Sequence, residues 1–423
     1  MKKTEAKRAY DVVVLGGGPA GMMAAGRAGT LGASVLLLEK NPGLGKKLLI
    51  SGGGRSNVTN AEFDTAVLLE KYKSHKKFLH SPFSQFTVKD TFNFFESHGM
   101  EIKVEEEKRA FPKSNTARSV LHVLEKFMKE GKVEIQTSTE VKSLVQKNDH
   151  YIVTTTLGEE ISAKKIVMST GGLSHPETGS TGDGFQWLEK FGADVGRGNA
   201  ALVPIRTKES WGHKLSGLAF TEARVEIRVD GKLIDNKDGR KTGKILFTHT
   251  GLSGPTILNM SKLVGWAIEE GTVTLRIDIF PKEDVGSLDR RLQSLFVNNL
   301  NKKIKNVLKE FLPASLVPAS LQQNSIDGSR EVNSLKREER RALCVWLKSM
   351  VITPVSLMGK DKAVVTSGGI NLSEVNMRTM ESKKLSGLYV VGDILDIDRP
   401  SGGYSLQLCW TSGWVAGTSA AKK

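Results

Sequence analysis

The pattern of apolar and polar positions changes character several times along the chain. Asp11–Leu15 is a short apolar run that ends in glycines, which reads as a buried strand entering a turn. Pro19–Leu31 reads as a helix carrying the small residues Ala20, Gly21, Ala24 and Ala25, and Ser34–Leu38 is a second apolar run that stops at Glu39. Strand, glycine turn, helix and strand make a βαβ unit. From Ala61 to Pro112 the texture is charged and partly helical, with VKDTFNFFESHG as one amphipathic segment. TARSVLHVLEKFMKEG then predicts a helix with a glycine stop. VEIQTSTEVKSLVQ and HYIVTTT predict the strands of a small antiparallel layer, and KKIVMSTGG a buried strand ending in a glycine pair. After Gly196 the chain becomes β-rich. EARVEIRVDGKLI alternates around Asp230-Gly231, a hairpin signal, and GTVTLRIDIF is a further strand. From Pro281 to about Met350 the chain reads as helical and charged. From Val351 the opening texture resumes, with KAVVTSGGI, GLYVVGDILDID and a last glycine-opened helix in SGGYSLQLCWTSGWVAGTSAA. The expectation is an α/β, Rossmann-like domain built from residues 1–195 and 351–423. It is interrupted by a β unit, 196–280, and a helical unit, 281–350.

The first glycines carry chemistry. Gly16-x-Gly18-x-x-Gly21 lies between a strand and a helix, and seventeen residues separate Gly21 from Glu39. Such glycines let the backbone meet a pyrophosphate at the helix N-terminus, where the dipole favours negative charge. A carboxylate ending the second strand accepts ribose hydroxyls and repels a 2′-phosphate. Near the C-terminus a strand delivers Gly392-Asp393 to a helix opened by Ser401-Gly402-Gly403. That arrangement suits a flavin: Asp393 would bind the ribityl chain, and the helix N-terminus would face the ring edge that gains negative charge on reduction. IVMSTGG, Ile166–Gly172, resembles the strand that re-enters behind the dinucleotide in two-part flavin domains. FAD is therefore the expected cofactor. No second GxGxxG follows a strand, so NAD(P)H is expected to dock only transiently, as electron donor.

SGGGRSNVTN, Ser51–Asn60, is a poor helix and a poor strand interior. Its bare backbone and dense donors suit a stretch running along the cofactor. Arg55 suits either a cofactor phosphate or an anionic or carbonyl-bearing substrate. The candidate cofactor-binding set is Gly16, Gly18, Pro19, Ala20, Gly21, Glu39, Lys40, Lys47, Gly53, Gly54, Arg55, Asn57, Val58, Thr59, Thr170, Gly171, Gly172, Gly392, Asp393, Gly402, Gly403, Tyr404 and Ser405.

The chain is strongly basic. Lys and Arg number 61 against 46 Asp and Glu, a net charge of +15. A dinucleotide cofactor does not need that surplus, and an RNA partner would use it. Basic stretches at Lys71, Lys73, Lys76 and Lys77, at Lys302 and Lys303, and at Arg337, Arg340 and Arg341 would meet phosphates; the alternative is solvated helix faces. The two cysteines, Cys344 and Cys409, lack CxxC spacing, so neither a disulfide framework nor a metal site is expected, and both read as buried packing residues. No apolar run approaches the roughly 18 residues of a membrane span, and the expected location is the cytoplasm.

Five blocks make a resemblance specific: GKKLLISGGGRSNVTN, GGLSHPETGSTGDGF, LFTHTGLSGPTIL, AVVTSGGINLSEVN and GDILDIDRPSGGYSLQ. In that order they resemble the bacterial FAD flavoproteins described as BaiN-type, aminoacetone-oxidase-like or putative NAD(FAD)-utilising dehydrogenases, a family that includes RdsA-type ribosomal RNA dihydrouridine synthases. The resemblance spans essentially the whole chain. It implies a glutathione-reductase-like FAD domain interrupted by a β-barrel-like domain and a small helical domain. The chain departs from the family pattern at Ser56, where cysteine is usual, at Asp393, where glutamate is usual, and at Ser405, where asparagine is usual. Flavin-dependent reduction needs a proton donor beside the hydride source. The candidates are His249, in FTHTGLSGP, and Tyr404 and Ser56. The resemblance and the charge together point to reduction of uridine to dihydrouridine in ribosomal RNA. A small-molecule FAD oxidoreductase, such as an amine oxidase or enone reductase, and a non-catalytic FAD module are the competing classes.

Overall fold

The structure, a computed structural model, describes residues 9–196, 199–234, 238–359 and 365–422. The basic N-terminus and part of KAVVTSGGI lie outside the described residues. The chain divides into two compact units, one of residues 1–200 and 363–423, the other of residues 201–362.

The first unit is organised by a parallel sheet. β1 (Ala9–Leu15) leads into helix α1 (Pro19–Thr30) and then β2 (Val35–Leu38). Helix α2 (Ala117–Glu130) precedes β3 (Glu134–Gln136), followed by β4 (Glu160–Met168), β5 (Leu388–Val390) and the last helix, α3 (Tyr404–Ala420). The parallel order is β5-β4-β1-β2-β3, with Val14 opposite both Leu37 and Val167 and Leu388 opposite Ile166. Val12, Val13 and Val14 are fully buried, because a central parallel strand is covered on both faces. The expected antiparallel layer divides. Val141–Lys147 and His150–Thr155 form an antiparallel hairpin, whereas Glu134–Gln136 pairs in parallel with β2 as the sheet's edge. The first turn after each of β1, β2, β4 and β5 falls at one edge of the sheet, the carboxyl edge, where open α/β sheets bind ligands.

Helix packing fixes that edge. A Cβ at Gly413 or Gly417 would stand 2.4 Å from the Ala20 carbonyl oxygen or 2.5 Å from that of Ala24. Two glycines one turn apart therefore bring α3 onto the backbone of α1. On the other side, a Cβ at Gly26 would meet the Phe127 ring of α2 at 2.3 Å. The expected glycine stop of α2, Gly131, keeps φ at −74°, and a Cβ there would stand 2.9 Å from Gly26 O. Its missing side chain serves close approach, and the left-handed turn falls to Lys132, at φ 52°.

The second unit holds an antiparallel sheet. Its strands run in the order Met350–Ile352, Val273–Asp278, Ala219–Val229, Arg240–Thr248, Gly251–Ser253, Ile205–Thr207 and Pro354–Leu357. Asp230 and Gly231 turn its hairpin with φ of 48° and 78°, the two positive values a type I′ turn requires. Helices Val285–Val297 and Arg337–Leu347 bury Leu288, Leu292 and Leu343 in the same apolar cluster as Ile227 and Ile277 of the sheet. Met350–Ile352 and Pro354–Leu357 pair within this unit, so the residues just after Val351 lie here, and the first unit resumes at Ala363. Among the described residues no helix is long and apolar enough to cross a membrane.

Candidate functional site

A cavity of about 530 Å³ opens at the carboxyl edge of the first unit's sheet, and its wall comes wholly from that unit. The turns after β1, β2, β4 and β5 all contribute, as do Lys46–Gly53 and the start of α3.

The β1 turn shows why glycine is needed there. Gly16 has φ 108°, and a Cβ on it would lie 2.6 Å from Ser169 O. Ser169 Oγ in turn donates to the carbonyls of Leu15 and Gly16, at 2.9 Å each. Gly21, one turn into α1, is pressed against the Gly16 carbonyl. Gly18, by contrast, has open space where a side chain would be. It caps α1 with no side-chain acceptor, and the first turn holds no acidic residue. The start of α1 is thus a set of backbone donors with a positive dipole end, facing a cavity.

Glu39 ends β2 and is buried. Its Oε2 accepts from Gly17 N at 2.7 Å, while Oε1 accepts from Asn41 N at 2.8 Å and Asn41 Nδ2 at 2.7 Å. An ionised carboxylate offers about four acceptor positions, so one remains without disturbing this set.

The loop after β4 closes the same side. Asn41 Nδ2 donates to Thr178 O at 3.0 Å, Lys46 Nζ to Glu177 O at 3.1 Å and Lys47 Nζ to Ser174 Oγ at 3.0 Å. Lys40 Nζ bonds Thr181 Oγ1 at 2.6 Å and Asp183 Oδ2 at 2.7 Å. Burial pushes the Lys47 ammonium below the usual lysine range, and the negative charge of Asp393 opposes that shift.

At the far end, Gly392 holds φ 73°, and Asp393 and Ser405 line the wall. Both are bonded by one arginine. Arg399 donates from Nη2 to Asp393 Oδ1, from Nε to Ser405 Oγ at 3.0 Å and from Nη1 to Ile397 O at 2.6 Å. Its side chain has no solvent exposure. Two of the three departures from the family pattern therefore meet at a residue that sequence reasoning did not single out. Cys409, read from sequence as packing, is buried and also lines the cavity; burial pushes its thiol up to about 12.

Sequence-derived candidates divide. Gly16, Gly18, Pro19, Ala20, Glu39, Lys40, Lys47, Gly53, Thr170, Gly171, Gly392, Asp393 and Ser405 line the cavity. Gly21, Gly54, Arg55, Asn57, Val58, Thr59, Gly172, Gly402, Gly403 and Tyr404 stand outside its lining. The glycines of Ser51–Asn60 are conformational: Gly52, Gly53 and Gly54 have φ of 56°, 68° and 83°. Arg55 is held by Glu105, with bonds of 2.8 and 3.1 Å, and lies over the Phe111 ring at 4.0 Å. Val58 O accepts from Trp410 Nε1 at 2.8 Å, and Thr59 Oγ1 donates to Gln407 Oε1 at 2.6 Å, so these two residues fasten α3. A Cβ on Gly403 would lie 2.3 Å from Thr59 C, which makes that crossing glycine-dependent.

Of the acid candidates, Ser56 is fully buried at φ 58°, with an Oγ that has no hydrogen-bond partner. Tyr404 is buried edge-on to Tyr72, and burial raises its phenol to about 12. His249 is exposed in the turn between Arg240–Thr248 and Gly251–Ser253 of the second unit. Asn57 Oδ1 and Thr170 Oγ1 are, like Ser56 Oγ, buried without partners. An uncapped helix start and a carboxylate with a spare acceptor position, both at the cavity, fit a bound dinucleotide.

The sequence profile described as the HI0933-like protein Rossmann domain matches residues 10–419. The chain belongs to the HI0933-like family. It is similar to a ribosomal RNA dihydrouridine synthase of Escherichia coli, 30% identical over 406 residues that cover 96% of each chain. It is also similar to a 3-dehydro-bile acid delta(4,6)-reductase of Clostridium scindens, 28% identical over 417 residues that cover 97% of this chain and 98% of that one. Among solved structures it shares its fold with a 3-ketosteroid-delta4-(5alpha)-dehydrogenase of Rhodococcus jostii RHA1. That match has a TM-score of 0.52 and 15% identity, and covers 100% of this chain and 99% of the other. This HI0933-like chain is an FAD-dependent oxidoreductase with a Rossmann-type cofactor domain.

Proposed function

We propose that this HI0933-like chain reduces uridine to dihydrouridine in ribosomal RNA, with NAD(P)H as electron donor. The observation that carries the reading is the +15 charge, with Lys71, Lys73, Lys76 and Lys77 exposed in one stretch, on a full-length relative of an RNA-reducing enzyme. Basic candidates are already engaged within the protein: Arg340 is committed to Asp289 by bonds of 2.7 and 3.1 Å, and Lys76 Nζ pairs with Glu70 at 2.6 Å.

The start of α1 would hold the cofactor's pyrophosphate and Glu39 its adenosine ribose. Asp393, Ser405 and Lys47 would hold the ribityl and ring half. When bound, FAD supplies a hydride acceptor and donor. The protein's own tasks are to hold that group, to exclude water from a largely apolar wall, and to give a proton to the carbon next to the carbonyl. In the first unit Ser56 and Tyr404 are the sequence-derived candidates that carry an O–H for that transfer, both just outside the cavity lining.

A uracil ring and a 3-oxo steroid with delta(4,6) unsaturation share a double bond conjugated to a carbonyl. The similarity to the Clostridium scindens reductase therefore favours a second reading, reduction of a small conjugated ketone, which needs no basic surface. Deleting the gene and measuring dihydrouridine in ribosomal RNA separates the two. Loss of the nucleoside supports the first reading, and unchanged content sinks it. RNA affinity that falls steeply with salt also belongs to the first reading alone.

A further inference from the structure

Arg399 stands behind the cavity wall, not in it. Its guanidinium is buried, spends all three nitrogens on Asp393, Ser405 and the Ile397 carbonyl, and so ties the turn after β5 to the first turn of α3. Burying an ion pair is unfavourable relative to an apolar pair, so it is weak support for stability alone. A guanidinium stays charged throughout the physiological range, whereas a wall carboxylate alone would set a negative charge beside the ligand.

We propose that Arg399 is a positioning residue that orients Asp393 and Ser405 toward the cofactor and, by balancing the Asp393 charge, holds up the reduction potential of the bound flavin. The inference rests on the cofactor placement given above and is independent of the substrate. Reduction adds negative charge to the flavin. An unbalanced carboxylate at this end of the cavity opposes that change, and a balanced one does not. Tyr72, whose hydroxyl donates to Tyr404 O at 2.9 Å, and Cys409 face the same region, and burial keeps both protonated and neutral, so neither adds negative charge. Lys47, whose ammonium Asp393 favours while burial opposes it, is the other cation there and only partly offsets the loss of Arg399.

The test is the midpoint potential of the FAD-loaded protein, measured against reference dyes, with FAD affinity measured alongside. Arg399→Met is expected to lower the equilibrium constant for two-electron reduction at least tenfold, a shift of about 30 mV. Arg399→Lys is expected to keep most of the wild-type value. The double variant Arg399→Met with Asp393→Asn, which restores neutrality, is expected to recover it. FAD-loaded Arg399→Met at the wild-type potential overturns the proposal. If Arg399→Met does not hold FAD, Asp393→Asn alone decides: an unpartnered guanidinium is expected to raise the equilibrium constant at least tenfold, and an unchanged potential overturns the proposal. The underlying placement fails separately, if neither Glu39→Ala nor Asp393→Asn alters FAD affinity.

Discussion

Gly413→Ala sets two physical effects against each other. Gly413 lies within α3, where exchanging glycine for alanine in an exposed helix gains about 1 kcal/mol. The new Cβ would stand 2.4 Å from Ala20 O, 3.0 Å from Met23 Cβ and 3.3 Å from Ala20 C. The nearest atom is backbone in α1, which no rotamer change can move. Ordinary non-bonded separations begin at about 3.5 Å, so the helices must part by roughly 1 Å. Overpacking of that kind costs about 1–3 kcal/mol, which exceeds the propensity gain at most of that range. A loss of 1 kcal/mol lowers Tm by about 2–4 °C in a domain of roughly 150–250 residues. The expected net effect is a Tm fall of a few degrees. Because α3 carries Ser405 and Cys409 into the cavity wall, weaker FAD binding accompanies it. Thermal unfolding of the FAD-free protein and a flavin fluorescence titration read both. Gly286→Ala, whose Cβ would meet only side-chain atoms at 3.4 and 3.7 Å, is the control, expected to be neutral or stabilising. If Gly413→Ala behaves like Gly286→Ala, the close crossing of α1 and α3 is refuted.

Glu105, bound by Arg55 and Lys103, has its carboxyl lowered from 4.5 to about 2. A depressed carboxylate contributes stability above pH 4.5 that is lost as pH falls toward 2. Glu105→Gln is therefore expected to flatten the acid limb of a pH–stability curve and to leave the alkaline limb alone. Burial raises the thiols of Cys344 to about 11 and Cys409 to about 12. Iodoacetamide at pH 7 is expected to label neither until the protein is denatured, as mass spectrometry would show; rapid native labelling contradicts their burial. Ser56→Ala removes a buried hydroxyl that has no partner, so Tm of the FAD-free protein is expected to stay level or to rise by the equivalent of up to about 1 kcal/mol. If Ser56 supplies the proton, the same variant slows flavin reoxidation by substrate while reduction by NAD(P)H continues at its normal rate.

Much of the cofactor domain was legible because its signals are local. Gly16, Gly18, Gly21 and Glu39 sit at fixed spacing around one strand-to-helix turn, and the turn chemistry alone locates the cavity's start. The Asp230-Gly231 hairpin was readable for the same reason. What escaped depends on partners distant in sequence. Arg55 looked available for an anion, but Glu105 on an adjacent strand claims it. Thr59 looked like a ligand contact, but Gln407 of α3 claims it. Arg399 carried no motif, and its place became visible only once the chain had brought Asp393 and Ser405 to it. Glu134–Gln136 has exposed and half-buried positions that resemble an antiparallel edge, and only its register with Leu36–Leu38 makes it parallel.

The proposed reaction of this oxidoreductase is the reduction of uridine in ribosomal RNA. The direct measurement is mass-spectrometric nucleoside analysis of ribosomal RNA incubated with the FAD-loaded protein and NAD(P)H. Dihydrouridine is expected at a defined site, formed only when protein, FAD and reductant are all present. RNA that stays free of dihydrouridine, while the same preparation rapidly reduces a small conjugated ketone, contradicts it.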